Sequence, residues 1–307
     1  MKLFQAFPLL ALVAITSCNR DNAITIDNDP SSDDSTPSVA FSVIEYLPAP
    51  GQYINEPASG FNNVSTMDEA CRYAEERLAK NLYVSLGSWG GYIIVKTHSP
   101  LANSGSFDFA IGGNSFDSSN EPGIVWVMQD SNGNGLPDDQ WFELKGSYYD
   151  KPGFEKDYSV TYFRPSQPDS DVKWTDSNGD SGVVKWQGSF HKQPFYYPLW
   201  IKGDSYTLTG SRLAARSEQD PLTGQWTNLP YEWGYADNAG EDSETLTLNG
   251  QKMQLNYFRI SDAVTESGEA ANLPAVDFIK VQTAVNGTSG ILGENSTEVC
   301  GFFLDIQ

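Results

Sequence analysis

Residues Gly123 to Ser147 read GIVWVMQDSNGNGLPDDQWFELKGS. Two short apolar runs, Ile124 to Met128 and Trp141 to Leu144, flank a polar loop in which Asp130, Asn132 and Asn134 alternate and Gly135 follows. Apolar runs of this length, bounded by Asn, Gly and Asp, read as the two strands of a β-hairpin. The loop between them is the first half of a D-x-[DN]-x-[DN]-G calcium motif. Ca²⁺ takes about six to eight oxygen ligands, alternate short side chains can converge on one point, and the glycine lets the chain turn sharply. Leu136 adds a backbone carbonyl, and Asp138, Asp139 or Glu143 closes the shell. Trp141 stands where an EF-hand carries its closing glutamate, so the expectation is a structural calcium loop on a strand scaffold. An ordinary turn uses the same residue types and is the plain alternative. Nothing beside the loop offers the open coordination position of metal-assisted hydrolysis.

Outward from this hairpin the pattern stays β. Further strands are expected at 41–46, 92–97, 106–111, 158–163, 183–186, 205–209, 257–261, 275–283 and 298–305, punctuated by Gly, Asn, Asp and Pro. One helix interrupts them. Thr66 with Glu69 three residues on is a capping box, and Met67, Ala70, Cys71, Ala74 and Leu78 mark one apolar face at helical spacing. Many short strands with a single N-terminal helix predict a mostly β fold, a jelly-roll-like β-sandwich spanning 41–307 as one domain. DSNGDSG at Asp176 to Gly182 echoes the calcium loop but lacks its following acids.

The N-terminus carries a different message. Lys2, an apolar run from Leu3 to Ile15 and then Thr16, Ser17 and Cys18 form a secretory signal over 1–17, too short to span a bilayer. Its Ile-Thr-Ser-Cys ending resembles the bacterial lipobox, which implies cleavage before Cys18, lipidation of that cysteine and attachment to a membrane by a lipid anchor only. Residues 18–40 are rich in Asp, Ser, Asn and Pro, too poor in apolar surface to fold, and form an acidic tether with a reach of about 25 Å. A net charge of −21 repels nucleic acid and anionic headgroups and excludes both as partners. Cys71 and Cys300 remain after Cys18, either as one long-range disulfide or as two buried thiols.

No G-x-S-x-G elbow or phosphate-binding glycine loop is present, and His98 and His191 stand far apart without a metal-ligand spacing. A glycosidase-like carboxylate pair has no support in the sequence beyond the number of acids, so no enzymatic activity is expected. The 16 Phe, 8 Trp and 15 Tyr are more informative, because several fall in segments rich in Pro, Gly and Asn. Aromatics on loops offer flat, stiff surfaces to a ligand, whereas the same residues inside a large sandwich are simply core. Trp89, Trp226, Trp233 and Tyr235 are the candidate ligand-binding aromatics, with Asn114 and Asn238 as polar partners.

The segments YLPAPGQYIN (Tyr46 to Asn55), SLGSWGGYIIV (Ser85 to Val95), FDFAIGGNSF (Phe107 to Phe116), the Glu121 to Ser147 stretch, WGYADN (Trp233 to Asn238), VDFIKVQT (Val276 to Thr283) and GENSTEV (Gly293 to Val299) span nearly the whole mature domain. Together they resemble the cell-surface lipoproteins of gut Bacteroidetes, some of which carry PKD-like domains and some of which are encoded beside cobamide (vitamin B12) uptake systems. The tether's acids likewise resemble surface-export signals of such lipoproteins. The resemblance implies an outer-membrane, outward-facing protein that captures a cobamide for a TonB-dependent transporter. A corrin ring, with an apolar face rimmed by amides, suits aromatic stacking. A calcium-dependent glycan-binding or adhesion module is the alternative, and a hydrolase the third reading.

Overall fold

A computed structural model describes residues 40–248 and 250–306. The signal segment 1–17, the lipidation site Cys18 and the tether up to residue 39 lie outside the described residues. In chain order the strands are β1 (Phe41–Leu47), β2 (Val84–Ser85), β3 (Tyr92–Ala102), β4 (Phe109–Gly113), β5 (Gly123–Met128), β6 (Trp141–Leu144), β7 (Glu155–Phe163), β8 (Val172–Asp176) and β9 (Ser181–Val184). They continue as β10 (Ser205–Arg212), β11 (Ser217–Gln219), β12 (Trp226–Asn228), β13 (Ser243–Leu248), β14 (Gln251–Phe258), β15 (Ala263–Val264), β16 (Ala275–Thr283), β17 (Glu298–Val299) and β18 (Gly301–Phe303). The fold is a mostly β sandwich with, among the described residues, a single α-helix, α1 (Met67–Leu78).

One sheet has the order β1-β3-β16-β5-β6-β15 and a second the order β13-β14-β4-β18. The expected hairpin is there: β5 and β6 pair antiparallel, with Trp126 opposite Glu143 and Met128 opposite Trp141. On its other edge β5 pairs with β16, so the hairpin is built into the middle of the larger sheet. Alternation decides which face goes inward. Val43, Ile93, Val95, Val125, Val127, Ile279 and Val281 form one buried cluster with Phe109, Ile111, Phe258 and Phe302 of the second sheet. Phe41 meets Phe302 edge to face at 5.3 Å, tying the margins of the two sheets.

The helix begins where its sequence says it should. Thr66 accepts the N–H of Glu69 at 3.2 Å, and the Glu69 carboxylate takes the N–H of Thr66 at 3.1 Å. Ala70, Tyr73, Ala74 and Leu78 face the core, and Glu75 reaches from the helix to the N–H of Val43 in β1 at 2.7 Å. Cys71 packs at the edge of this main core, while Cys300 sits in a separate cluster with Ala110, Met253 and Leu255. No disulfide joins them.

A third sheet, β10-β7-β8-β9, carries its own apolar cluster. Trp89 belongs to it. The expectation that Trp89 stands on a ligand-facing turn is corrected: it is 0% exposed and packs edge to face on Tyr158 at 4.6 Å. Positive φ at Gly87 and Gly90, conformations that favour glycine, fold the GSWGG turn inward, and Tyr162 seals it by donating its hydroxyl to the Trp89 carbonyl at 2.8 Å.

Candidate functional site

The 129–140 loop turns most of its polar oxygens onto its own backbone. Asp130 Oδ2 accepts the N–H of Gly135 at 2.9 Å, Asn132 Oδ1 that of Asn134 at 2.9 Å, and Asn134 Oδ1 that of Leu136 at 2.7 Å. Asp139 accepts the N–H groups of Ser131 and Asn132, and Asp138 receives the side-chain amides of Asn132 and Asn134. Asp130 Oδ1 is the exception, sheltered from solvent and without a hydrogen-bond partner. That orphaned oxygen is the feature a hard cation would partner, but the carboxylates of Asp130, Asp138 and Asp139 do not bring three oxygens within 4.8 Å of one another, and Lys96 donates to the Gly135 carbonyl at 3.2 Å. Glu143 is not part of it. This side chain is buried on β6 and accepts a hydrogen bond from Ser211 of β10, because the strand's alternation aims it at the third sheet. Asp277 of β16, which loop spacing could not reveal, holds the N–H of Asp130 at 2.8 Å. The Asp176 to Gly182 echo is a β8–β9 turn in which Asp176 accepts the N–H groups of Asn178 and Asp180 and the hydroxyl of Tyr158.

The other sequence candidates divide sharply. Tyr235 and Asn238 are buried, so neither offers a surface to a ligand. The Asn238 amide bridges the backbone N–H and carbonyl of Tyr231 at 2.8 and 2.9 Å. The hydroxyl of Tyr235 accepts the N–H of Tyr148 at 3.1 Å. Asn114 is exposed, and Trp226 is half-buried in the short β11–β12 ribbon. Trp233 lines an open depression of about 270 Å³ where the ends of β6 and β14, one from each sheet of the sandwich, meet the 233–242 loop.

That depression joins aromatic and charged surface. Phe107 and Tyr257 line it with Trp233, and Lys145, Arg259, Asp242, Glu241 and Asp262 supply charge of both signs. Arg259 stacks its guanidinium over the Phe107 ring at 4.1 Å. Asp242 Oδ2 accepts the N–H of Gly234 at 2.7 Å, which fixes the side chain, while its Oδ1 is shut away from solvent without a partner. Burial pushes the Asp242 carboxyl up to about 6, against the pull of the Gly234 N–H and of Arg259. Asp262 is raised too, first by burial. The arrangement can accept a hydroxyl or amide hydrogen at Asp242, donate from Arg259, and present an aromatic surface to an apolar ring face.

A second grouping lies deeper. One oxygen each of Glu121, Asp237 and Glu298 fall within 4.8 Å of one another, the only set of three acid, His or Cys groups so placed among the described residues. Asp237 Oδ1 accepts the N–H groups of Asn114 and Ser115 at 2.9 and 2.8 Å. Glu121 accepts the N–H of Ser296 at 3.1 Å, and Glu298 the hydroxyl of Ser296 at 3.0 Å. Asp237 holds a left-handed backbone with φ +52°, and Gly113 opposite it must lack a side chain, because a Cβ there would meet Asp237 Oδ1 at 2.6 Å. Burial raises the carboxyls of Glu121, to about 8, and Asp237, to about 7. These residues stand in the quoted Glu121, WGYADN and GENSTEV segments, and that was the one signal available. No protein-family model matches this chain, and no curated protein is significantly similar to it.

Proposed function

We propose that this protein is a surface lipoprotein, anchored through Cys18 at the outer membrane, that captures an extracellular ligand without transforming it. The observation that carries the reading is the depression beside Trp233, with its stacked Phe107–Arg259 pair and acids on its lining. Its volume of about 270 Å³ lies just below the range of about 300–1,000 Å³ typical of drug-sized sites. A ligand the size of a sugar ring fits that space, and aromatic face, acid and guanidinium together are the contacts a polyhydroxylated ring uses. The glycan-binding reading is therefore the one we favour.

Capture of a cobamide for a TonB-dependent transporter rests on the resemblance of the quoted segments. A corrin is too large for the depression, so it would insert one amide side chain towards Asp242 and rest its ring against the outer surface. In both readings calcium on the Asp130 loop stabilises the scaffold, held by Asp130, Asn132, Asn134, the Leu136 carbonyl, Asp138 and Asp139. Calorimetric titration with a glycan panel and with cyanocobalamin tests the proposal and separates the two ligands.

A further inference from the structure

We propose that Lys280, on the outer face of the larger sheet, is a reactive amine that holds aldehyde-bearing molecules by reversible imine formation. Ile279 and Val281 belong to the core, so the alternation of β16 turns Lys280 to the opposite face. Three rings enclose its ammonium. Nζ lies 4.6 Å from the ring centre of Trp126, 5.4 Å from that of Trp141 and 5.8 Å from that of Tyr92. Lys280 and all three aromatics are half-buried, so the cage keeps a side open to solvent.

Register across the sheet decides which groups stand beside the amine. Lys280 is opposite Ile94 of β3 and Trp126 of β5, Ile94 is opposite Glu45 of β1, and Trp126 is opposite Glu143 of β6. The row reads Glu45, Ile94, Lys280, Trp126, Glu143, which puts each carboxylate two strands away. Both are engaged elsewhere: Glu45 accepts the Tyr92 hydroxyl at 2.8 Å, and Glu143 accepts that of Ser211. Among the described residues no hydrogen bond or ion pair engages the Lys280 ammonium, although it carries three donors. Lys156, paired with Asp150 at 3.7 Å, and Lys96, which donates to the Gly135 carbonyl, are the contrast.

An ammonium walled by hydrocarbon and without an acceptor gives up its proton more readily than one in water. Burial lowers Lys280 to about 8, against the pull of Glu143 and Glu45. A lysine desolvated in this way is a nucleophile near neutral pH. Its lone pair adds to the aldehyde carbon, forming the C–N bond while the carbonyl π pair moves to oxygen. A proton then passes from nitrogen to that oxygen, and departure of the oxygen as water leaves the imine. No oxidant or reductant is consumed, and water adding back returns amine and aldehyde unchanged. The flat aromatic walls favour a planar, apolar aldehyde.

Treating the purified mature chain with benzaldehyde and cyanoborohydride, which reduces the imine to a stable benzylamine, and then following each lysine by peptide mass spectrometry tests this. At about pH 7.5 Lys280 is expected to label at least tenfold faster than Lys96, Lys145 or Lys252, and the preference should shrink as pH climbs past about 8. Unfolding in urea should erase it. Trp126→Ala opens the cage to water and should reduce the preference, whereas Trp126→Phe keeps a ring there and should preserve it. Should Trp126→Ala fail to fold, Trp141→Ala carries the same expectation. Labelling of Lys280 no faster than that of the other lysines in the folded chain, or a preference that survives urea or both alanine variants, overturns the proposal. Either outcome leaves the ligand reading at Trp233 untouched, because Lys280 does not line that depression.

Discussion

The guanidinium of Arg259 lies 4.1 Å above the ring of Phe107. Arg259 follows strand β14 and Phe107 precedes β4, its neighbour in the smaller sheet, so the pairing of those two strands sets the stack. Stacking holds the cation flat against one wall of the depression while leaving its edge nitrogens to donate. With Asp242 fixed by Gly234 on the opposite loop, acceptor and donor are presented by a rigid frame, which reduces the ordering a ligand must impose on binding.

The anchor makes the simplest prediction. Cys18→Ala should move the protein from the membrane fraction to the soluble fraction, and the unaltered mature chain should begin at Cys18. N-terminal sequencing and fractionation check both.

Calcium at the Asp130 loop should stabilise the fold. Extracellular modules bind with Kd of about 10⁻⁴ to 10⁻³ M, and ion at about 100 times Kd adds about 2.7 kcal/mol. Asp130→Ala should remove the calcium-dependent rise in Tm. An identical rise in both chains makes the loop a turn.

Trp89→Ala should act on stability rather than on affinity. Deleting a fully buried tryptophan costs about 3–5 kcal/mol, and the ring touches Tyr158 rather than any opening to solvent. Urea unfolding should shift strongly, while the part of the population still folded should bind ligand with unchanged Kd.

Glu143 should give the fold a pH dependence. Burial holds its carboxyl up at about 7, opposed by the hydrogen bond from Ser211 and by Lys156 and Lys280, with Asp150 adding to the rise. A carboxyl raised in the folded state binds its proton there first, so its stabilising contribution is full below the unfolded value and is lost as pH climbs towards 7. Over that window the loss amounts to about 3 kcal/mol. Glu143→Gln keeps a partner for Ser211 and should flatten the slope of unfolding free energy between those pH values. An unchanged slope would assign it to other acids.

Local signals were the legible ones. The β5–β6 hairpin and α1 were readable because their causes are local: apolar runs around a turn, and a capping box ahead of a helical face. Strands β8 and β13 were not anticipated, since VKWTD and SETLTL carry too little apolar surface to stand out, although pairing with a neighbour makes them regular. Trp89, Tyr235 and Asn238 looked like site residues because Gly and Asn around an aromatic mark a loop, and composition does not say whether a loop folds inward. The triad was invisible for a different reason. Asp237 takes the N–H of Glu298 across 61 positions and Glu121 that of Ser296 across 175, and only tertiary structure makes such residues neighbours. Arg259 and Asp242 likewise became site residues only when the ends of β6 and β14 met.

The most direct test of ligand capture is calorimetric titration of the purified mature chain, and of Trp233→Ala and Asp242→Asn, with a glycan panel and with cyanocobalamin. Saturable binding of a glycan is predicted, weakened at least tenfold by each substitution, with the ligand recovered chemically unchanged. Cobalamin binding in its place, with the same dependence on Trp233 and Asp242, would shift the ligand assignment to the cobamide reading. Binding indifferent to both substitutions, or conversion of the bound ligand to a product, would contradict the account.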